Sequence, residues 1–191
     1  MDKRRFDLLC NTVARNDWDG NGKETYGWWA QQDERELWWI LEKLVAIKPK
    51  KVVEIGSAHG GTLFFWDQVV GEGGTTLSVD MWEHHGITLD FSNSVSEVLM
   101  LKGDSHDPEI FKMISDRMEG SIDFLFIDGD HTYEGAKQDY ETYGPLVRPG
   151  GLVAFHDVVY ETEIQVRRFF LEIEEPKDSI ELTHGIGVVY K

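Results

Sequence analysis

Two short segments, Asp128-Gly-Asp-His131 and His156-Asp157, concentrate carboxylates and imidazoles in a chain of 191 residues. Such residues can take a proton from a hydroxyl through a histidine, or hold a divalent cation that makes the hydroxyl more acidic. Asp130, between the first pair, reads as a residue that orients the turn. A second candidate lies upstream in Glu54-Ile-Gly-Ser-Ala-His-Gly-Gly-Thr62, a glycine turn of the kind that lets a backbone come close to a ligand. Acids recur beyond it: Glu54, Asp80, Asp104, Asp128 and Asp157 each stand at or near the end of an apolar run, and Asp80, Asp104 and Asp128 are 24 residues apart. Five carboxylates along one edge suit a ligand that carries positive charge.

These residues need a scaffold that brings distant segments to one edge. From Lys51 onward, β-branched runs alternate with helical stretches. Strands are expected at 51–55, 75–79, 98–102, 122–127 and 152–155, with helices at 62–70, 108–118, 134–147 (ending at Gly144-Pro145) and 162–173. Arg148-Pro-Gly-Gly151 reads as a turn, and a loop with a short helix is expected after Asp80. Apolar strands in this alternation form a parallel sheet covered on both faces. Two last strands, 179–183 and 186–190, are too closely linked for a parallel crossover and form an antiparallel hairpin. The expected fold is α/β: a doubly wound, mostly parallel, seven-stranded sheet. Ligands of such sheets bind outside the carboxyl ends of the strands, where the five acids are.

Residues 1–34 read as a cap or lid, and residues 35–191 as the main domain. Asp33 with Glu36 resembles a capping box, followed by the stripe Leu37, Ile40, Leu41, Leu44 and Val45. The seven tryptophans all lie between Trp18 and Trp82. Trp38 and Trp39 are adjacent, so both cannot face inward, and one is free to line a groove.

Net charge is −16, all of it contributed by residues 51–191. No basic cluster is present to neutralise phosphates, which argues against a nucleic-acid or anionic-membrane partner. A lone cysteine, Cys10, excludes a disulfide scaffold, and no apolar run reaches the roughly 20 residues of a membrane span. The N-terminus lacks the apolar stretch of a signal peptide. A cytoplasmic enzyme acting on a small molecule is the expectation, and homo-oligomerisation is compatible with it.

Glu54-x-Gly56-x-Ala58-x-Gly60 resembles the first motif of class I S-adenosylmethionine-dependent methyltransferases, with Ala58 at the usual middle glycine. Phe126 to Val158 is similar to the small-molecule group that includes cephalosporin-hydroxylase-like proteins and sugar O-methyltransferases. The resemblance covers about residues 35–191. It implies that Gly56, Ala58, Gly60 and Gly61 pass under the methionine part of S-adenosylmethionine, while Glu54 meets its ammonium through the turn. Asp80 would take the ribose hydroxyls, Met81 and Trp82 would flank the adenine, and Asp104 with Ser105 would bind its amino edge. Asp128 would border the cofactor as well.

The same resemblance makes His131 the general base and places Asp128, His156 and Asp157 around a divalent metal, Mg²⁺ or Mn²⁺. His156 departs from the group, which has a carboxylate there. Three readings stay open: a Mg²⁺ site weakened by one ligand, a softer metal, or no metal with His131 or His156 acting alone. The implied reaction is methyl transfer to a hydroxyl of a small molecule, for instance a sugar. Two alternatives remain. Gly56-x-Ala58-x-x-Gly61 also fits a degenerate dinucleotide fingerprint, and so an NAD(P)-binding oxidoreductase, although Glu54 would repel a pyrophosphate. A non-catalytic cofactor-binding subunit is the other. His59 matters through its backbone in the glycine turn, His84 and His85 read as a solvated loop that could border the cofactor, and His106 and His184 receive no role.

Overall fold

The computed structural model describes residues 1–13, 32–58, 60–81, 94–159 and 165–191. His59, Trp82, His84, His85, Trp18, Trp28 and Trp29 lie outside the described residues, as does the loop expected after Asp80. In chain order the elements are α1 (Lys3–Val13), α2 (Glu34–Ile47), β1 (Lys51–Ile55), α3 (Gly61–Val70), β2 (Thr75–Asp80), β3 (Glu97–Lys102) and α4 (Pro108–Arg117). Then follow β4 (Ile122–Ile127), α5 (Tyr133–Tyr143), a 3₁₀ turn (Gly144–Leu146), β5 (Val147–His156), α6 (Val166–Glu172), β6 (Lys177–Ile180) and β7 (Ile186–Tyr190). The seven strands lie in the order β3-β2-β1-β4-β5-β7-β6. The first five are parallel, and β7 runs antiparallel to both β5 and β6. The expected doubly wound sheet with its terminal antiparallel pair is present.

Alternation along the central strands divides the core into two layers. Val53, Ile55, Leu125, Ile127, Val153 and Phe155 pack with residues of α4, α5 and α6. Val52, Phe124, Phe126, Leu152 and Ala154 point the other way, against residues of α1, α2 and α3. Trp66 anchors this second layer, its ring centroid 5.1 Å from Phe124 and 5.2 Å from Phe126. Phe6 of α1 is fully buried and sits between Trp38 at 5.0 Å and Phe65 at 5.6 Å. Helix starts follow local chemistry: the side chains of Asp33, Asp107 and Thr132 accept the N–H of Arg35, Glu109 and Gly135.

Four expectations change. The segment 148–151 is part of β5, bulged outward: Ile122 pairs with Val147, whereas Phe124 pairs with Leu152. Backbone bonds to the last residue stabilise the bulge, Gly150 donating to the Lys191 carbonyl at 2.7 Å and Lys191 donating to Gly151 at 3.1 Å. The strand expected at 179–183 is shifted to Lys177–Ile180. The cause is Glu36, which does not complete a capping box. It is fully buried, and its Oε1 accepts the N–H of Leu182 (2.8 Å), Thr183 (2.7 Å) and Gly185 (2.9 Å), which draws these residues out of the ladder. The Asp33 carboxylate adds a bond from the Thr183 hydroxyl at 2.7 Å. The helix expected at 162–173 is described as Val166–Glu172, residues 160–164 lying outside the described set.

Candidate active site

The carboxyl ends of the parallel strands open into a cavity of about 850 Å³. Of the residues expected to bind a cofactor, it is lined by Gly56, Ala58, Asp80, Met81, Asp104, Ser105 and Asp128. His131, His156 and Asp157 line it too, joined by Gly129, Asp130, His106 and His184. The two groups of residues singled out in the sequence therefore share one chamber.

The turn after β1 forms the first wall. Gly56 has φ 80°, and a Cβ there would stand 2.0 Å from the Asp128 carbonyl oxygen, so β1 and β4 meet too closely for any side chain. Ala58 also adopts a left-handed φ, 40°, and its N–H donates to Asp80 Oδ2 at 2.8 Å. Asp80 thus ties the turn to the end of β2. Gly60 and Gly61 are buried at the start of α3 and do not line the cavity.

Glu54 is fully buried and also off the cavity wall, accepting a hydrogen bond from the Thr62 hydroxyl. Burial pushes its pKa up to about 8; the Thr62 bond opposes this and the Asp128 charge adds to it. Met81 is 62% exposed at the rim.

The loop after β3 forms the next wall. Ser105 donates its hydroxyl to Asp139 Oδ1 at 2.8 Å, Tyr143 donates to the Ser105 carbonyl at 2.7 Å, and His106 Nε2 lies 3.2 Å from Asp139 Oδ1. Asp139 is fully buried, and burial pushes its pKa up to about 6 against the pull of Ser105 and His106. Asp104 accepts the N–H of His106 at 2.9 Å. Five residues, three from the loop after β3 and two from α5, therefore set the shape of this wall.

A further part of the wall is a compact group of two carboxylates and three imidazoles. His131 Nδ1 lies 3.0 Å from Asp157 Oδ2, and its Nε2 lies 3.5 Å from Asp128 Oδ1. His156 Nδ1 is 3.1 Å from Asp128 Oδ1 and 3.5 Å from Asp157 Oδ2. His184 Nδ1 is 3.6 Å from Asp157 Oδ1, and its ring lies tilted by 40° against His156 with centroids 5.3 Å apart. Gln32 donates to Asp128 Oδ2 at 3.1 Å. Asp130 accepts the N–H of Thr132, the turn-orienting task expected of it.

The electrostatics follow from these contacts. Burial works against charge on His156, yet Asp128 and Asp157 outweigh it and raise its pKa to about 10. The Asp157 bond raises the pKa of His131, burial opposing and Asp128 assisting. Burial would push Asp157 up, but hydrogen bonds from both histidines hold it well below the usual carboxylate range. Asp157 also adopts φ 62°, a conformation that costs a non-glycine residue about 1–2 kcal/mol and is kept here by its partners.

Among the described residues, Asp128, His131 and Asp157 offer ligand atoms within 4.8 Å of one another. His156 is outside that trio, although its Nδ1 approaches the same two carboxylates. The donor chemistry fits a divalent ion. Gln32, His106 and His184 were not assigned by sequence reasoning. They reach the cavity through contacts between elements remote in the chain, and no local motif marks them.

Comparisons with known proteins agree with this geometry. The family described as "Methyltransferase domain" matches residues 53–158, more than half of the chain. The rhamnosyl O-methyltransferase of Mycobacterium leprae (strain TN) is 27% identical over 128 residues, covering 64% of this chain and 54% of its own. The chain spans 18% to 57% of the length of the curated relatives it matches. An O-methyltransferase from Bacillus cereus, solved in complex with SAH, superposes with a TM-score of 0.68 at 17% identity, covering 100% of this chain and 92% of that one. The MycE methyltransferase of the mycinamycin biosynthetic pathway, solved with Mg and SAH, superposes with a TM-score of 0.59 at 18% identity, covering 96% of this chain and 54% of that one. The sheet order and terminal hairpin are those of the class I methyltransferase fold. With the glycine turn, the strand-end acids and the family match all falling within one segment, the chain belongs to the methyltransferase domain family.

Proposed function

We propose that the protein transfers the methyl group of S-adenosylmethionine to a hydroxyl of a small molecule, with a sugar-containing metabolite as the leading acceptor class. One observation carries this reading: the glycine turn with its strand-end acids and the Asp128–His131–His156–Asp157 group face the same cavity. The related rhamnosyl O-methyltransferase supports the acceptor class.

The cofactor supplies a methyl group on a positively charged sulfur. Gly56, Ala58, Asp80, Met81, Asp104 and Ser105 would bind it, with Glu54 acting from behind the turn. Gly60 and Gly61 would serve indirectly, as the packed start of α3. Trp82, the expected second flank of the adenine, belongs to this reading but lies outside the described residues. His131, with Nδ1 held by Asp157, keeps Nε2 to take the hydroxyl proton. Asp128, His156 and Asp157 would hold a divalent cation, Mg²⁺ or Mn²⁺, that lowers the hydroxyl pKa and orients it.

Residues 1–34 would cap the domain formed by 35–191, a division supported by the seat of Phe6 against Trp38 and Phe65. No helix of the described residues is long and apolar enough to cross a membrane. A cytoplasmic setting, no nucleic-acid partner and room for homo-oligomerisation complete the reading.

Calorimetry with S-adenosylmethionine, S-adenosylhomocysteine and NAD tests the cofactor. Binding of the first two without NAD is expected, and tight NAD binding with no response to either would overturn the proposal. Methyl transfer from labelled cofactor to a panel of rhamnosides tests the acceptor class. With an accepting substrate in hand, His131→Ala is expected to abolish transfer while cofactor binding persists, which a non-catalytic subunit would not show.

A further inference from the structure

The part of the cavity wall built from Asp128, His131, His156, Asp157 and His184 has more nitrogen donors than a site built for Mg²⁺ calls for. Mg²⁺ favours carboxylates and water, whereas imidazole favours the later divalent ions of the first transition row. Here two carboxylates, Asp128 and Asp157, are met by three histidines. Two of them differ sharply in access: the His131 side chain is 43% exposed, and that of His156 is 7% exposed. His131 can face an acceptor; His156 is held below it between the carboxylates, 3.1 Å from Asp128 Oδ1 and 3.5 Å from Asp157 Oδ2. Nδ1 is the nitrogen turned to the carboxylates, and it is the atom that would reach an ion held between them. A buried imidazole set between two carboxylates fits a ligand of such an ion.

We propose that this centre selects a transition-metal ion of the Mn²⁺–Zn²⁺ series over Mg²⁺, with Asp128 and Asp157 as oxygen ligands and His156 as the nitrogen ligand. His131 stays outside the coordination shell, as the base. His184 packs its ring at a tilt against His156 and faces the second oxygen of Asp157, so it helps to fix the orientation of both. The inference deepens the proposed function, resting on its reading of this wall as the acceptor side, but its test needs neither acceptor nor turnover.

The experiment uses the full chain, stripped of metal and without cofactor. Calorimetry with MnCl₂, CoCl₂, ZnCl₂ and MgCl₂ is expected to show the first three binding at least about tenfold more tightly than Mg²⁺. Pulsed electron paramagnetic resonance of the Mn²⁺ form is expected to show coupling to a directly bound imidazole nitrogen. That signal should vanish in His156→Ala and persist in His131→Ala. His156→Asp, which restores an oxygen donor, should reduce the preference over Mg²⁺ by about tenfold or more.

Equal or tighter Mg²⁺ binding, absence of nitrogen coupling in the unaltered protein, or no metal binding would each overturn the proposal. So would loss of the nitrogen signal in His131→Ala with retention in His156→Ala. The measurements on the unaltered protein decide the matter even if a variant fails to fold. Binding of S-adenosylhomocysteine is scored separately, so failure of the metal selectivity is distinguishable from failure of the methyltransferase reading.

Discussion

The Glu36 carboxylate holds the backbone on both sides of His184. Its Oε1 accepts N–H groups from Leu182, Thr183 and Gly185, and its Oε2 lies 3.4 Å from the His184 nitrogen. A carboxylate at the start of α2 thus sets where an imidazole stands in the cavity wall.

Removing that carboxylate should therefore cost stability and disturb the site together. Glu36→Ala leaves the buried Gly185 N–H without an acceptor and strips three part-buried N–H groups of theirs, and a loss of about 3 kcal/mol is expected in chemical denaturation. Glu36→Gln keeps an oxygen acceptor and should recover part of it. A loss under about 0.5 kcal/mol for Glu36→Ala would mean that the turn holds without its clamp.

Gly56 should tolerate no substitution. Gly56→Ala places a Cβ 2.0 Å from the Asp128 carbonyl oxygen at φ 80°, forcing β1 and β4 apart at the cavity floor. Calorimetry is expected to show S-adenosylhomocysteine affinity lowered at least about tenfold, with destabilisation above about 1 kcal/mol.

Asp139 shapes the cavity from behind. Asp139→Asn retains size but removes the charge that His106 faces, and it alters the acceptor for Ser105. The loop 103–106 should loosen, and the affinity for S-adenosylhomocysteine should fall about three- to tenfold while the sheet stays folded by circular dichroism.

The metal-free protein should lose stability as pH rises from 6 to 10. His156 has its pKa raised from 6.5 to about 10, so its contribution is full below 6.5 and is lost as pH climbs through 10. Glu54, raised from 4.5 to about 8 by burial, binds a proton in the folded state that the unfolded chain releases, and so acts in the same direction between those values. Asp157 runs the other way: its depressed pKa stabilises the fold above the ordinary carboxylate range and is lost in acid. Thermal melts with a chelator present should give Tm falling from pH 6 to 10, and His156→Asn should flatten the alkaline part of the fall.

The sheet and the glycine turn that lines its cavity were legible because their signals are local. Runs such as Lys51–Ile55 and Ile122–Ile127 declare buried strands, and Asp80, Asp104, Asp128 and Asp157 mark their ends. Gly56 and Ala58 carry their turn in their own spacing. Contacts across the chain were not legible. Glu36 reads as a capping-box acid, since nothing near it in sequence announces partners about 146 residues away. His184 looks like a hairpin-turn residue until Asp157 and His156 are placed beside it. The bulge at 148–151 depends on bonds to Lys191, which the turn signal Pro-Gly-Gly cannot reveal.

The clamp on the 182–185 turn also bears on how the chain can be recombined. An exchange of N-terminal segments with a relative, made anywhere between Glu36 and Leu182, would part a carboxylate from the four amides it serves. The first helices and the last turn form one inheritable unit, although they stand at opposite ends of the sequence. A chimera meant to change acceptor preference should carry both pieces from the same parent.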